Sequence, residues 1–320
     1  MFKLFFFFLR ALYLILDILI SIIILFFNFF FLVILIFFIM NKFWNGITVC
    51  IDYDSLIRNN VKFLNYGIDY FVKYKIPFFL LSWRSNITTK KFINEIKSNK
   101  INESNVILPH YALKNKLEEY KKNKNLILIG GIDNEIHDIM KEYNFNNYIT
   151  SNEISKIFPE IFPYYYYLKK DMSFLEKVEN RTLLNLKKFY PIKGIIQLSK
   201  ITNWSIDLQL FSDLLISPNG IPGTIRKKEQ KQYVDYHLFE SNSLDIKKKI
   251  KQNPIIDNGL FFPFLNYIYT RKFNTKIQFI DYSKNSNLIF DYLNKKEKKR
   301  IYLITSDMNL IRNFNQGFKI

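Results

Sequence analysis

Cysteine is almost absent from this sequence, and the histidines are few and scattered. Cys50 is the only cysteine, which excludes an internal disulfide framework. It stands inside an apolar run, so we expect a buried and unreactive thiol. The three histidines have neither cysteine partners nor HExxH spacing, which argues against a zinc site (His110, His137 and His237).

Charged residues are absent between positions 18 and 40. This run of 23 residues exceeds the ~20 that a helix needs to cross a bilayer. A cleaved signal peptide has a shorter apolar region, and a soluble core helix would show a polar stripe. We therefore expect residues 1–41 to form a hydrophobic segment with one transmembrane anchor. The alternative is that nucleotide bias or a misassigned start codon produced the phenylalanine-rich run.

The 28 acidic residues are outnumbered by 46 Lys and Arg residues, and the net charge is +18. Few Lys or Arg precede the apolar run and many follow it, so the positive-inside rule predicts a single-pass membrane protein with its main domain in the cytosol. The lysines occur as scattered pairs and triplets without a zinc-finger or RNA-recognition signature. This pattern is typical of a solvated lysine surface, and we expect no specific nucleic-acid partner.

Short apolar runs alternate with amphipathic stretches from residue 46 to residue 143. Strands alternating with single helices predict an α/β fold with a doubly wound, Rossmann-like parallel sheet. The strands are expected at 46–51, 76–81, 105–108 and 125–130, and the helices at 60–75, 88–97, 112–122 and 134–143.

The alternation breaks after about residue 153 and resumes near residue 260. We therefore predict a discontinuous core at 42–160 and 256–320, with a separate α/β module at 165–255 on top of the sheet. The module contains a strand at 194–198, a helix at 204–216, a turn at 218–220 and an exposed polar loop at 226–232. The second part of the core contains helices at 260–270 and 285–294 and strands at 276–280 and 300–305.

Acidic and hydroxyl side chains follow three of the predicted strands. Asp52 and Asp54 follow the first strand, Ser82 the second, and Asp307 the last. Ligand sites in open α/β sheets lie at the carboxyl ends of the strands, so these side chains are expected to converge. Clustered carboxylates suit a hard divalent cation, and a carboxylate can also attack phosphorus as a nucleophile. A single Asp at a strand end is more often a turn or cap residue.

Several segments in order along the chain resemble the haloacid-dehalogenase (HAD) superfamily of hydrolases. The segment IDYDS at 51–55 looks like the first Asp-x-Asp motif, and IPFFLLSW at 76–83 resembles the second motif of the type IIA subgroup. Similarity to the cat-eye-syndrome-critical-region-type branch continues through 106–131, 142–154 and ITNWSIDLQLFSDLLISPNG at 201–220. DYSKNSNLIFDY at 281–292 and YLITSDMN at 302–309 resemble the last two motifs.

The resemblance implies a role for each matching residue. Asp52 would be the nucleophile that forms an aspartyl-phosphate, and Asp54 the general acid and base. Ser82 would hold a phosphate oxygen, and Lys284 would neutralise charge on the nucleophile and the phosphoryl group. Mg²⁺ would be bound by Asp52, Asp54 (through its carbonyl) and Asp307. The module at 165–255 would be a C2-type cap, and the substrate a small phosphorylated metabolite.

The sequence also departs from the family pattern. Ser55, Ser283 and Ser306 stand where the family has glycine, and Trp83 where it has asparagine. The second acid of the last motif is missing, with Leu310 and Arg312 in that region. The alternative is therefore a catalytically degenerate scaffold or binding protein that keeps the fold at a membrane.

Overall fold

The computed structural model describes residues 47–56, 61–157, 191–201, 203–239, 258–284, 286–297, 300–307, 310–312 and 314. The predicted transmembrane segment at 18–40 lies outside these ranges. Within them, the structure contains no helix that is both long enough and apolar enough to cross a bilayer.

The first sheet carries the strands that end at the predicted site. Its strands lie in the order β3-β2-β1-β9. Hydrogen bonding is parallel between β1 and β2, with Asp52 opposite Leu81, and between β2 and β3. All four residues of β2 are buried, as expected for a strand covered on both faces. The strands are β1 (Ile47–Asp52), β2 (Phe78–Leu81), β3 (Val106–Ile107) and β9 (Arg300–Ile304).

The second sheet is parallel throughout, in the order β5-β4-β6-β7-β8. Its central strands are almost wholly buried, and helices pack on them through the largest apolar cluster of the described chain. The strands are β4 (Leu126–Gly130), β5 (Tyr148–Thr150), β6 (Ile192–Gln197), β7 (Asp235–Leu238) and β8 (Ile280–Asp281).

The helices follow the strands as the alternation predicts. The α-helices are α1 (Tyr53–Leu56), α2 (Val61–Lys73), α3 (Thr89–Ile96), α4 (Lys114–Lys122), α5 (Asp133–Glu142), α6 (Ser151–Ile157), α7 (Trp204–Ile216), α8 (Phe261–Phe273) and α9 (Leu288–Lys296). Short 3₁₀ helices occur at Glu103–Asn105, Pro109–Leu113 and Asn258–Leu260. The strand predicted at 276–280 is displaced to Ile280–Asp281, and the strands β5 and β7 were not predicted.

The strands divide between the two sheets at other positions than the predicted boundary between core and module. Residues 194–198 do not join the sheet of β1, as expected for a separate module. However, β4, assigned by sequence to the core at 42–160, is hydrogen-bonded to β6 of the module, and so belongs to the second sheet. Likewise β8, assigned to the core at 256–320, pairs with β7. The physical reason is that apolar periodicity reports burial, whereas sheet membership depends on partners distant in sequence.

Helix α4 packs against the second sheet through Tyr120, at a position where Gly194 of β6 has no side chain. Tyr120 of α4 is fully buried, and its hydroxyl lies 2.9 Å from Asp235 Oδ2 and 2.9 Å from His237 Nε2, both on β7. A Cβ at Gly194 on β6 would lie 2.7 Å from that hydroxyl. The missing side chain at Gly194 therefore makes room for Tyr120 on the second sheet.

One surface prediction also needs correction. The segment 226–232 has no helix or strand, as expected for a loop, but Arg226 is buried. Its guanidinium group lies 3.8 Å from the centre of the Phe273 ring and hydrogen-bonds to the Tyr269 hydroxyl. The arginine stem and the flat guanidinium can cover apolar surface, which a polarity pattern alone does not reveal.

Candidate functional site

Four of the five predicted site residues lie at or shortly after the carboxyl ends of neighbouring strands of the first sheet (Asp52, Asp54, Ser82 and Asp307). Strand β1 ends at Asp52, and the chain turns directly into the short helix α1, which carries Asp54. Ser82 follows the last residue of β2. Because β1 lies between β2 and β9, side chains from the ends of all three strands can reach one another.

The Asp54 carboxylate is held by the residues that follow β2. The Ser82 hydroxyl donates to it, lying 3.1 Å from each carboxylate oxygen. The main-chain N–H of Trp83 donates to Oδ2 at 2.5 Å. Ser82 is fully buried, and its oxygen also accepts a hydrogen bond from the N–H of Arg84 at 3.3 Å. The end of β2 therefore positions Asp54.

Asp52 is fully buried, and its two carboxylate oxygens have different surroundings. Oδ2 accepts a hydrogen bond of 2.6 Å from the hydroxyl of Thr305, which follows β9. Oδ1 is buried, and no described residue donates a hydrogen bond to it. A buried carboxylate oxygen without a donor is costly, because it has lost its water. Oδ1 is therefore the oxygen that a cation or an electrophile would satisfy.

Asp307 joins the same network through Thr305. Its main-chain N–H donates to the Thr305 hydroxyl oxygen at 3.0 Å. Its carboxylate forms an ion pair of 2.5 Å with Lys284, which follows β8 of the second sheet. Asp307 Oδ1 also accepts from the N–H of Leu310 at 3.3 Å. Asp52, Asp307 and Lys284 thus belong to one connected set of contacts.

Two hydroxyl residues in this network were not predicted as functional. Thr305 was read only as part of the last strand, and Ser55 only as a departure from glycine. In the structure the hydroxyl oxygens of Ser55 and Thr305 are 3.1 Å apart. The sequence signal that could have identified Ser55 and Thr305 is their position, because each follows a strand of the first sheet within a few residues.

The thiol of Cys50 is inert, as expected. Cys50 lies on β1 two residues before Asp52 and is fully buried. Burial raises the pKa of its thiol far above the ordinary value, and the neighbouring Asp52 carboxylate raises the pKa further. The thiol therefore stays protonated and takes no part as a nucleophile.

The Mg²⁺ site that the resemblance implies would consist of oxygen donors only. The parts of the chain that the structure describes contain no group of three or more His, Cys, Asp or Glu side chains arranged to hold a metal ion. The expected Mg²⁺ set has two carboxylates, on Asp52 and Asp307, and the carbonyl of Asp54. A donor set made only of oxygen atoms suits Mg²⁺.

The chain that follows Ser82 also reaches the second sheet. The Ser85 hydroxyl donates to the carbonyl of Leu198 at 2.5 Å, directly after β6. Asn86 Nδ2 donates to Glu135 of α5 at 2.9 Å. These contacts bring the carboxyl end of β6 close to the loop that positions Asp54.

The end of the second sheet carries a buried carboxyl group that the sequence did not single out. Asp207 of α7 is 4% exposed and accepts a hydrogen bond from Ser151, which follows β5. Burial raises the pKa of Asp207 to about 7, the Ser151 hydroxyl lowers it, and the Asp133 charge raises it. Asp207 therefore changes charge near neutral pH.

Comparison with known proteins gives weak similarities. No family model matches the chain. A hypothetical protein from Pyrococcus horikoshii OT3 is 12% identical, with 84% of this chain and 85% of that chain covered and a TM-score of 0.49. A possible sugar phosphatase of the HAD superfamily from Cytophaga hutchinsonii ATCC 33406 is 12% identical, with coverage of 84% and 81% and a TM-score of 0.46.

A 4-nitrophenylphosphatase from Thermotoga maritima is also similar. It is 12% identical, with 84% of this chain and 82% of that chain covered and a TM-score of 0.45. Two of these three structures are named as phosphatases, the class of hydrolase that the sequence predicts. Since each TM-score is below 0.5, the similarities by themselves assign neither a family nor an activity.

Proposed function

We propose that this chain is a HAD-type phosphohydrolase that cleaves a small phosphate ester through an aspartyl-phosphate on Asp52. The proposal rests on the burial and the hydrogen bonding of the Asp52 carboxylate. Its carboxylate is buried at the end of a central strand, is held through Oδ2, and has no donor at Oδ1 among the described residues. Asp54 follows Asp52 by two residues, and Ser82 at the end of the adjoining strand β2 donates a hydrogen bond to it, so that an acid and a phosphate ligand would stand beside the nucleophile.

The first half of the reaction uses Asp52 and Asp54. An oxygen of Asp52 forms a bond to phosphorus while the bond from phosphorus to the ester oxygen breaks. The leaving oxygen keeps the electron pair and takes a proton from the Asp54 carboxyl group, which the Ser82 hydroxyl and the Trp83 N–H hold in place.

The second half returns the enzyme to its starting state. Asp54 accepts a proton from water, the water oxygen bonds to phosphorus, and the bond between phosphorus and Asp52 breaks. Phosphoryl transfer depends mainly on positioning and on neutralising charge. Lys284 lies in the same network as Asp52 through Asp307 and Thr305, and would supply positive charge. Bound Mg²⁺, held by Asp52, Asp307 and the Asp54 carbonyl, would add charge neutralisation.

The second sheet would act as the C2-type cap that selects the substrate. Its β6 end contacts the loop after Ser82 through Ser85, which supports a role beside the site. The substrate class is a small phosphorylated metabolite. The structure supports a larger cap than 165–255, since β4, β5 and β8 share its sheet.

The proposal also includes attachment to a membrane through residues 1–41, with the phosphatase domain in the cytosol. The uncharged run at 18–40 supports an anchor of one helix. The excess of Lys and Arg after this run supports the orientation.

The activity is tested with the purified full-length protein, Mg²⁺ and p-nitrophenyl phosphate. We expect weak but measurable turnover that Asp52→Asn abolishes. Asp69→Asn is the matched control, because Asp69 is an exposed residue of α2 that pairs with Lys100. Equal inactivity of wild type and Asp52→Asn across a broad panel of phosphate esters would contradict the proposal.

A non-catalytic scaffold is the second candidate. It is favoured by the ion pair between Lys284 and Asp307, because the lysine ammonium then neutralises a carboxylate that a metal would need. Such a protein would bind a phosphorylated ligand without turnover. Retention of inorganic phosphate by an inactive wild-type protein, measured by calorimetry, distinguishes this function from the first.

A further inference from the structure

A chain of two hydroxyl groups leads to the Asp52 carboxylate. The Thr305 hydroxyl oxygen lies 2.6 Å from Asp52 Oδ2, 3.0 Å from the N–H nitrogen of Asp307 and 3.1 Å from the hydroxyl oxygen of Ser55. These three contacts use the full capacity of a hydroxyl group, which has one hydrogen to donate and two lone pairs to accept.

The donor and the acceptor of each hydrogen bond between Ser55, Thr305 and Asp52 follow from which groups carry a hydrogen. An ionised carboxylate only accepts, so the Thr305 hydrogen points to Asp52, and a main-chain N–H only donates, so Asp307 gives its hydrogen to Thr305. Ser55 must then give its single hydrogen to Thr305 at 3.1 Å rather than to the main-chain carbonyl oxygen of Asp52 at 3.5 Å. The Ser55 oxygen in turn accepts from the N–H of Ser306 at 3.3 Å. The orientation of the Thr305 hydroxyl is therefore set by its neighbours.

We propose that Thr305 is a positioning residue that holds Asp52 through Oδ2, makes Oδ1 the oxygen that bonds to phosphorus, and favours breakdown of the aspartyl-phosphate. This inference rests on the proposed phosphatase function. Oδ1 is the oxygen to which no described residue donates. Attack through Oδ1 leaves the hydrogen bond from Thr305 to Oδ2 in place.

The hydrogen bond has different strengths in the two states of Asp52. In the free enzyme Oδ2 belongs to a charged carboxylate, and hydrogen bonds to charged groups are roughly twice as strong as neutral ones. In the aspartyl-phosphate Oδ2 is the carbonyl oxygen of a mixed anhydride, which carries less charge. The bond from Thr305 therefore strengthens as Asp52 leaves phosphorus, and it stabilises Asp52 as the leaving group.

The bonds made and broken in this step balance. The water oxygen forms the new bond to phosphorus, the bond between phosphorus and Oδ1 breaks, and its electron pair returns to Asp52. The water proton passes to Asp54. Without the Thr305 hydroxyl this step becomes slower, whereas formation of the aspartyl-phosphate does not.

The first test is pre-steady-state kinetics on three variants of the full-length protein with p-nitrophenyl phosphate. Thr305→Val should slow breakdown by about 10- to 100-fold, equivalent to ~1.4–2.8 kcal/mol. The variant should then release about one equivalent of nitrophenol in a burst, and hydroxylamine should trap the accumulated acyl phosphate. Thr305→Ser keeps the hydroxyl and should show no burst. Thr270→Val removes a threonine hydroxyl that bonds to Asn266 in α8, and should behave as wild type.

The second test does not need turnover. Fluoroberyllate adds to an aspartate carboxylate and mimics the aspartyl-phosphate, so its affinity in the presence of Mg²⁺ can be measured by calorimetry. Thr305→Val should bind it about 10-fold more tightly than wild type, equivalent to ~1.4 kcal/mol, and Thr305→Ser within about 3-fold of wild type.

The outcomes separate the two proposals. Active wild type with Thr305→Val indistinguishable from Thr270→Val, or with no recovery in Thr305→Ser, overturns the role of Thr305 and leaves the phosphatase function intact. An inactive wild type that binds fluoroberyllate in the expected order of affinity supports the positioning role and overturns the hydrolase. A wild type that neither turns over nor binds fluoroberyllate overturns both.

Discussion

Gly220 and Gly223 offer a matched pair of substitutions that tests the packing of the second sheet. Both have left-handed backbone angles, with φ of +74° and +78°. A Cβ at Gly220 would lie 2.0 Å from the carbonyl oxygen of Ile192, whereas a Cβ at Gly223 would have nothing within 4 Å. Ile192 begins β6, and its N–H donates to the carbonyl of Gly220 at 3.0 Å.

The expected costs follow from these two environments. Placing alanine in a left-handed conformation costs ~1–2 kcal/mol at either position. At Gly220 the new methyl group also meets main-chain atoms of Ile192, which cannot rotate away as a side chain can. Overpacking of this kind costs a further ~1–3 kcal/mol. We therefore expect Gly220→Ala to lower the free energy of unfolding by ~2–5 kcal/mol, and Gly223→Ala by ~1–2 kcal/mol.

The measurement is urea unfolding of wild type and both variants, followed by circular dichroism. A change of midpoint at constant slope reports stability alone. The difference between the two variants isolates the clash with β6, because the backbone strain is common to both. Equal destabilisation by the two alanines would contradict the close approach of Gly220 to Ile192. It would also contradict the position of the segment after α7 beside the start of β6.

Three further predictions concern charge, metal and membrane. The folded pKa of Asp207, about 7, lies above its ordinary value of 3.8, so the folded state binds the proton more tightly and stability falls as pH rises from about 4 to about 7. Urea unfolding at several pH values measures this decrease in the free energy of unfolding, and Asp207→Asn should remove up to ~4 kcal/mol of it. If the free energy of unfolding depends on pH equally in wild type and variant, Asp207 is not the cause. Removal of Mg²⁺ by EDTA should abolish hydrolysis of p-nitrophenyl phosphate, and added Mg²⁺ should restore it; metal-independent turnover would exclude the proposed Asp52 and Asp307 site. Carbonate extraction should leave the full-length protein in the membrane pellet if 18–40 is an anchor, and release into the supernatant would contradict that proposal.

Local sequence patterns determined the elements of the first sheet and the residues at its edge. The run 46–51 predicted β1, and Asp52, Asp54 and Ser82 could be placed at strand ends before any tertiary contact was known. This was possible because burial of a strand depends on its own apolar residues, and because carboxyl ends of parallel strands share one edge. The helix predicted at 204–216 also agrees with α7.

Only the tertiary structure decided which sheet each strand joined. The segment 126–130 reads as a buried strand in either sheet, and its pairing with β6 requires contacts across more than 60 residues of sequence, as between Ile127 and Gly194. The hydrogen bonding of Thr305 and the pKa of Asp207 likewise depend on the tertiary structure. The Thr305 hydroxyl becomes a partner of the Asp52 carboxylate, and the Asp207 carboxyl group acquires a raised pKa, only when distant residues contact and desolvate these groups. These properties belong to long-range packing, which local periodicity does not encode.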